Sequence, residues 1–166
     1  MKRICVALAI ALLCGTAPAY AQQTVFVVRH AERADAAAGS SPMMASDPDL
    51  SEAGKARAQS LAAALKDAKI TAIYTTQFKR TRQTAEPLAA LLGLQLSVVP
   101  AADVAGLIAK VKAGGNALVV GHSNTVGEIV AGLGVAEPVK LADSEYDNLL
   151  VVISGEKPAL VRLHFR

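Results

Sequence analysis

Three short segments concentrate side chains able to handle a phosphoryl group: Arg29-His30-Ala31-Glu32-Arg33, the stretch from Thr75 to Thr84 (TTQFKRTRQT), and Gly121-His122-Ser123-Asn124-Thr125. A nucleophilic imidazole, two guanidiniums and a second imidazole are the parts needed to capture phosphorus as a phosphohistidine and to neutralise its equatorial oxygens. Arginine suits the clamp because its planar fork donates two parallel hydrogen bonds and stays charged at any working pH. One histidine at a strand end is usually structural; two of them accompanied by arginines are a different matter.

Each segment closes an apolar run, and those runs show what must position the chemistry. Thr24 to Val28, Ala72 to Tyr74, Leu96 to Val99 and Ala117 to Val120 are short, rich in β-branched residues and apolar at successive positions, as strands covered on both faces are. Between them lie stretches with helical spacing, such as Gly54, Ala58, Leu61 and Leu65, or Val126, Ile129, Val130 and Leu133. Strand and helix alternate, which predicts a single three-layer α/β domain with a mainly parallel sheet and helices on both faces. In such a sheet, ligands gather beyond the carboxyl ends of the strands, where the three polar segments begin.

Leu149 to Ile153, a turn with Gly155 and Pro158, and the alternation of Val161, Leu163 and Phe165 with Arg162, His164 and Arg166 predict a C-terminal edge hairpin with one solvated face. Pro87 falls within a helical pattern, so a kink or two short helices is expected there. Ala34 to Leu50 has no periodicity and carries Gly, Ser, Pro and Asp, which predicts a loop long for so small a domain and a candidate recognition element.

The chain has 166 residues, enough for one domain with a sizeable core. Apolar residues make up 52% and charged residues 19%, which excludes intrinsic disorder. Lys and Arg number 17 against 14 Asp and Glu, and Lys2 and Arg3 of that surplus sit at the extreme N-terminus. The body is therefore close to neutral and has no Trp, so no nucleic-acid partner is expected.

Residues 1–21 read as an export signal: a basic start, an apolar run from Ile4 to Leu13, and Ala19-Tyr20-Ala21 as a small-x-small cleavage site. The run is shorter than the ~18 residues a spanning helix requires, so no stable membrane anchor is expected. An anchor on Cys14 is the minor alternative, with Leu13 where a small residue belongs. Cleavage near Ala21 leaves residues 22–166 as the functional domain, periplasmic or secreted. Cys5 and Cys14 both lie in the leader, so that domain has neither disulfides nor thiolate metal sites.

The RHAER segment, LSEAGKARA from Leu50 to Ala58, the TTQFKRTRQTAEPLA segment and the GHSNT segment, in this order, resemble the histidine phosphatase superfamily, also called phosphoglycerate mutase-like. The resemblance runs from about Thr24 to Ile153. It implies that His30 is the nucleophile, that Arg29 and Arg80 clamp the phosphate, and that His122 completes the pocket as a further donor. Arg80 is preferred to Arg82, since two residues that far apart on a helix do not share a face. Asn124 is read as the cap of a helix beginning near Thr125, whose amides favour an anion.

The resemblance also implies a carboxylic acid to protonate the leaving oxygen. Ser123 follows His122, so the arrangement with an acid directly after the second histidine is absent. Asp103 stands at roughly the other position, with Glu32 as runner-up; an Asp opening a helical pattern reads equally well as an N-cap. His164 on an edge strand is expected to be solvated. Three scattered histidines without ligand spacing give no sign of a metal site, and no cofactor is called for. The expected function is a phosphomonoester hydrolase of the histidine acid phosphatase type acting on a small phosphorylated substrate. A phosphoglycerate-type mutase and a non-catalytic phospholigand-binding module are the alternatives.

Overall fold

The computed structural model of the protein describes residues 22–35 and 47–165. The expected leader, with both cysteines, and the middle of the expected Ala34 to Leu50 loop lie outside the described residues. In chain order the elements are β1 (Thr24–Arg29), α1 (Glu52–Leu65), β2 (Ala72–Thr75), α2 (Lys79–Leu92), β3 (Leu96–Val98), α3 (Val104–Lys112), β4 (Ala117–Gly121), α4 (Ser123–Gly132), β5 (Asn148–Ile153) and β6 (Ala159–His164).

The six strands form one sheet in the order β3-β2-β4-β1-β5-β6. β1, β4, β2 and β3 are mutually parallel, while β5 runs antiparallel to β1 and β6 antiparallel to β5. β1, β2 and β4 carry near-continuous apolar runs because they are covered on both faces, whereas β3, expected from Leu96 to Val99 to be covered likewise, is the sheet edge and leaves Ser97 and Val98 exposed. On one face, Val25, Val27, Ala117 and Val119 pack against Val104, Leu107 and Val111 of α3 and Val126, Ile129 and Val130 of α4. On the other, Val28, Ile73, Leu118 and Val120 meet Leu61, Ala62 and Leu65 of α1 and Ala85, Leu88 and Ala89 of α2. Burying a Val, Leu or Ile side chain contributes about 1.5–3 kcal/mol, and these two clusters hold the layers together. The three-layer α/β arrangement with a C-terminal β5-β6 hairpin is as the sequence predicts. Among the described residues no helix is long and apolar enough to cross a membrane.

Three local expectations are corrected. α2 passes through Pro87 as one 14-residue helix, so of the two outcomes expected there, a kink or a split, the split into two short helices is the one overturned. Ala85, Leu88 and Ala89 on either side of the proline are buried against the sheet, and that packing outweighs a cost of about 3 kcal/mol for an interior proline. The helix stops at Gly93, whose φ of 66° is the left-handed conformation glycine adopts freely. In β6, Val161 and Leu163 are 41% and 48% exposed instead of forming a buried face. They lie opposite Val151 and Leu149, but β6 is the outermost strand and the apolar cluster ends at Leu149, Val151 and Phe165. Finally, α4 begins at Ser123 with His122 as its N-cap, so Asn124 is in the first turn and is not the cap.

Candidate active site

The site grows out of strand register. Arg29 lies opposite Gly121 across the β1–β4 ladder, and the His30 N–H donates to the Gly121 carbonyl at 3.0 Å. The next residue on each strand end is a histidine, so His30 and His122 leave the sheet side by side, ring centroids 5.4 Å apart at 64°. β2, on the far side of β4, ends at Thr75, and α2 starts four residues later, which delivers Arg80 to the same rim. Thr84 fixes α2 to β1: its hydroxyl donates to the Arg80 carbonyl at 2.7 Å and accepts from the Ala31 N–H at 2.9 Å.

Arg29, His30, Arg80 and His122 line one cavity of about 550 Å³. All four are buried, with relative exposures of 4–8%. Both guanidiniums rest on aromatic rings: Arg29 lies 4.1 Å above the centre of Tyr146 and Arg80 lies 4.3 Å above that of Phe78. Arg29 is steered from the segment before β5, donating to the Ala142 carbonyl at 3.1 Å and to the Tyr146 hydroxyl at 3.4 Å. The Nε atoms of Arg29 and Arg80 are buried and donate to none of the described residues. Two buried cations with unmet donors constitute an anion site in waiting.

The hydrogen bonds assign the histidine tautomers. His30 Nδ1 is 2.8 Å from the Ala31 carbonyl, which can only accept, so Nδ1 carries the proton and Nε2 keeps its lone pair. Burial pushes the His30 imidazole from its ordinary 6.5 down to about 3; the Ala31 bond opposes this, while His122, Arg29 and Arg80 assist it. The ring is therefore neutral throughout the physiological range, with its Nε2 lone pair available.

His122 is arranged the other way round. Its Nδ1 is 3.5 Å from Arg80 Nη2, which can only donate, and its Nε2 is 3.1 Å from Thr76 Oγ1. The proton is on Nε2, and the chain continues from Thr76 Oγ1 to Thr81 Oγ1 at 2.9 Å and from Thr81 Oγ1 to the Phe78 carbonyl at 2.8 Å. Burial, with Arg80 and Arg29 beside it, pushes His122 down to about 4. Arg80 itself holds its proton less firmly than usual, through burial and the nearby Arg33, with Asp47 working against that.

The carboxylates named as acids lie elsewhere. Asp103 caps α3, accepting from the Gly106 N–H at 2.9 Å, and is not among the residues lining the cavity. Glu32 is gripped by Arg57, whose Nε and Nη2 donate to its Oε1 at 2.9 and 2.6 Å. Partial burial works to raise the Glu32 carboxyl, but the Arg57 bonds and charge prevail and hold it below the usual range. Arg82 is likewise not among the residues lining the cavity, whereas Arg33, Ser123, Asn124, Asp143 and Tyr146 are. Tyr146 and Asp143 lie in an irregular segment with no strand or helix pattern, and Thr76 and Phe78 flank a tight turn, so only tertiary packing marks them. Gly54 of α1 approaches the Glu32 backbone so closely that a Cβ there would collide with its carbonyl, which explains the glycine in LSEAGKARA.

Part of the chain matches a family model in sequence, and the fold is similar to solved structures. The model of the histidine phosphatase superfamily (branch 1) matches residues 25–104. Among curated proteins, none matches the chain. Of solved structures, the protein histidine phosphatase SixA complexed with tungstate is similar at a TM-score of 0.64 and 23% identity, over 86% of this chain and 97% of that one. A mycobacterial glucosyl-3-phosphoglycerate phosphatase in complex with VO3 is similar at a TM-score of 0.68 and 19% identity, over 83% and 97%. At these identities the structural likeness establishes the fold, and the family match ties residues 25–104, from β1 to the start of α3, to the histidine phosphatase superfamily.

Proposed function

We propose that the protein is a phosphomonoester hydrolase that works through a phosphohistidine on His30. The observation that carries this is the Nδ1 bond to the Ala31 carbonyl, which leaves Nε2 as a neutral nucleophile in a cavity shared with two buried arginines. Nε2 attacks phosphorus and the ester oxygen departs; water then attacks the phosphohistidine, the P–N bond breaks, and phosphate leaves. Arg29 and Arg80 neutralise the equatorial oxygens, and they grip most strongly as charge redistributes in the transition state. His122 stands beside them as a further donor once its ring turns from Thr76 or takes up a proton.

The substrate is a small phosphorylated molecule, in keeping with a cavity of about 550 Å³. The leader-like pattern of residues 1–21 supports a working enzyme outside the cytoplasm, periplasmic or secreted, after cleavage near Ala21. Purified protein lacking those residues is incubated with phosphorylated metabolites and envelope components, with inorganic phosphate as readout. Reactions quenched in alkaline denaturant are probed by ³¹P NMR for a phosphohistidine, which survives base and is lost on acidification. Turnover that disappears in His30→Ala together with the phosphoenzyme signal supports the assignment; full turnover in His30→Ala refutes it.

A further inference from the structure

The reaction proposed above leaves one chemical demand unmet: the departing ester oxygen gains an electron pair, and an unactivated alkoxide is expelled slowly unless it receives a proton. We propose that Asp143 supplies that proton, an inference that rests on the phosphatase reading of the site. Among the described residues lining the cavity, Asp143 is the carboxylate. Glu32 is taken by Arg57, Asp103 by the N-terminus of α3, and Asp47 by the Lys79 N–H at 2.9 Å. Asp143 is held at the mouth by two contacts. The Ser123 hydroxyl donates to its Oδ1 at 3.1 Å, and Arg29 Nη2 lies 3.8 Å from the same oxygen. Ser123 directly follows His122, so the serine hangs a carboxylate from the turn that carries the second histidine.

Asp143 shares its cavity with the residues proposed to hold the phosphoryl group. Arg29 and His30 line it from the end of β1, His122 and Ser123 from the start of α4, and Tyr146 from the segment that carries Asp143. Neighbouring Glu145 is turned away, accepting from the Ala142 N–H at 2.6 Å and lying 3.4 Å from Arg162 Nη2. Before substrate binds, Asp143 faces the Arg29 cation. Once the phosphoryl oxygens occupy that guanidinium, the carboxyl is released toward the ester. Its side chain is 88% exposed, so solvent supplies the proton.

The step balances. As the bond from His30 Nε2 to phosphorus forms and the P–O bond breaks, the electron pair passes to the leaving oxygen, which takes the proton from Asp143 and departs as an alcohol. The Asp143 carboxylate then accepts a proton from the water that attacks phosphorus, and the P–N electron pair returns to Nε2.

The test is a series of phosphate esters graded by leaving-group basicity, from 4-nitrophenyl through phenyl to an alkyl phosphate, run on wild type, Asp143→Asn and Asp143→Glu. The loss in kcat/KM for Asp143→Asn should grow along the series, reaching about 10²- to 10⁴-fold on the alkyl ester. Asp143→Glu should recover part of that loss on the alkyl ester. A loss by the same factor on every ester, or none, overturns the assignment to Asp143 while leaving the phosphatase reading intact. Failure of the wild type to hydrolyse any ester of the series sinks that reading instead, and Asp143 with it.

Discussion

His30 and His122 stand edge to face, 5.4 Å between ring centroids, because the residues before them pair across adjacent parallel strands. The two rings carry their protons on opposite nitrogens: His30 on Nδ1, tied to a carbonyl, and His122 on Nε2, tied to a hydroxyl. One ring thereby keeps its Nε2 lone pair unengaged by any bond named above, and the other is fixed by a relay that starts at Arg80.

The clamp should be sensitive to chemistry and not only to charge. Arg80→Ala is expected to lower kcat/KM on an aryl phosphate by about 10²- to 10³-fold, the usual cost of removing a transition-state donor. Arg80→Lys should recover only a minor part, since an ammonium cannot reproduce the guanidinium fork or its stacking on Phe78. Steady-state kinetics of the two variants beside wild type check this. A fully active lysine variant would remove the argument from geometry.

The relay behind His122 should be measurable through Thr76. In Thr76→Val the buried Nε2–H of His122 loses its acceptor, which costs about 1–3 kcal/mol of stability. Urea unfolding should show that loss. The activity of the variant should fall through kcat more than through KM, because Thr76 is not among the residues lining the cavity and acts only by holding His122.

Acid should destabilise the fold through the two histidines. Their folded values, about 3 for His30 and about 4 for His122, lie below the unfolded value near 6.5. Between those limits the unfolded chain binds more protons, so stability is fully present above about pH 6.5 and falls as pH drops through 6 to 4, by on the order of 1 kcal/mol per pH unit per histidine. Thermal melts across that range should show the slope, and His30→Phe should flatten it. Over the same range kcat/KM for an aryl phosphate should lack an acid limb near pH 6.5 belonging to the nucleophile, since His30 stays neutral.

Glu32 separates a structural carboxylate from a catalytic one. Arg57 ties it to the end of the chain as well, donating from Nη1 to the Phe165 carbonyl at 3.2 Å. Glu32→Gln is expected to lower the melting temperature while retaining most turnover on both aryl and alkyl phosphates. Selective loss on the alkyl ester would transfer the acid role from Asp143 to Glu32.

The sheet and its four helices were legible because burial on both faces writes itself as continuous apolar strands, as in ALVV, and burial on one face as helical spacing, as in Leu61 and Leu65. Arg29, His30, Arg80 and His122 were legible for a related reason: they end those runs, so the topology brings them to one rim. What lay beyond pattern is set by packing. Pro87 survives inside α2 because its neighbours are buried, and Val161 stays exposed because no layer reaches the outermost strand. Tyr146 and Asp143 sit in an irregular stretch whose position depends on where Arg29 reaches, and Asp103 read equally as acid or cap until the Gly106 bond put it on α3.

The His30 amide is bound to the Gly121 carbonyl, inside the ladder and not in a loop. A centre pinned in this way cannot loosen ahead of the molecule around it. Its exchange with deuterium should wait for whole-domain opening, and in denaturant the capacity to bind an oxyanion should vanish together with the circular-dichroism signal of the sheet, in a single transition.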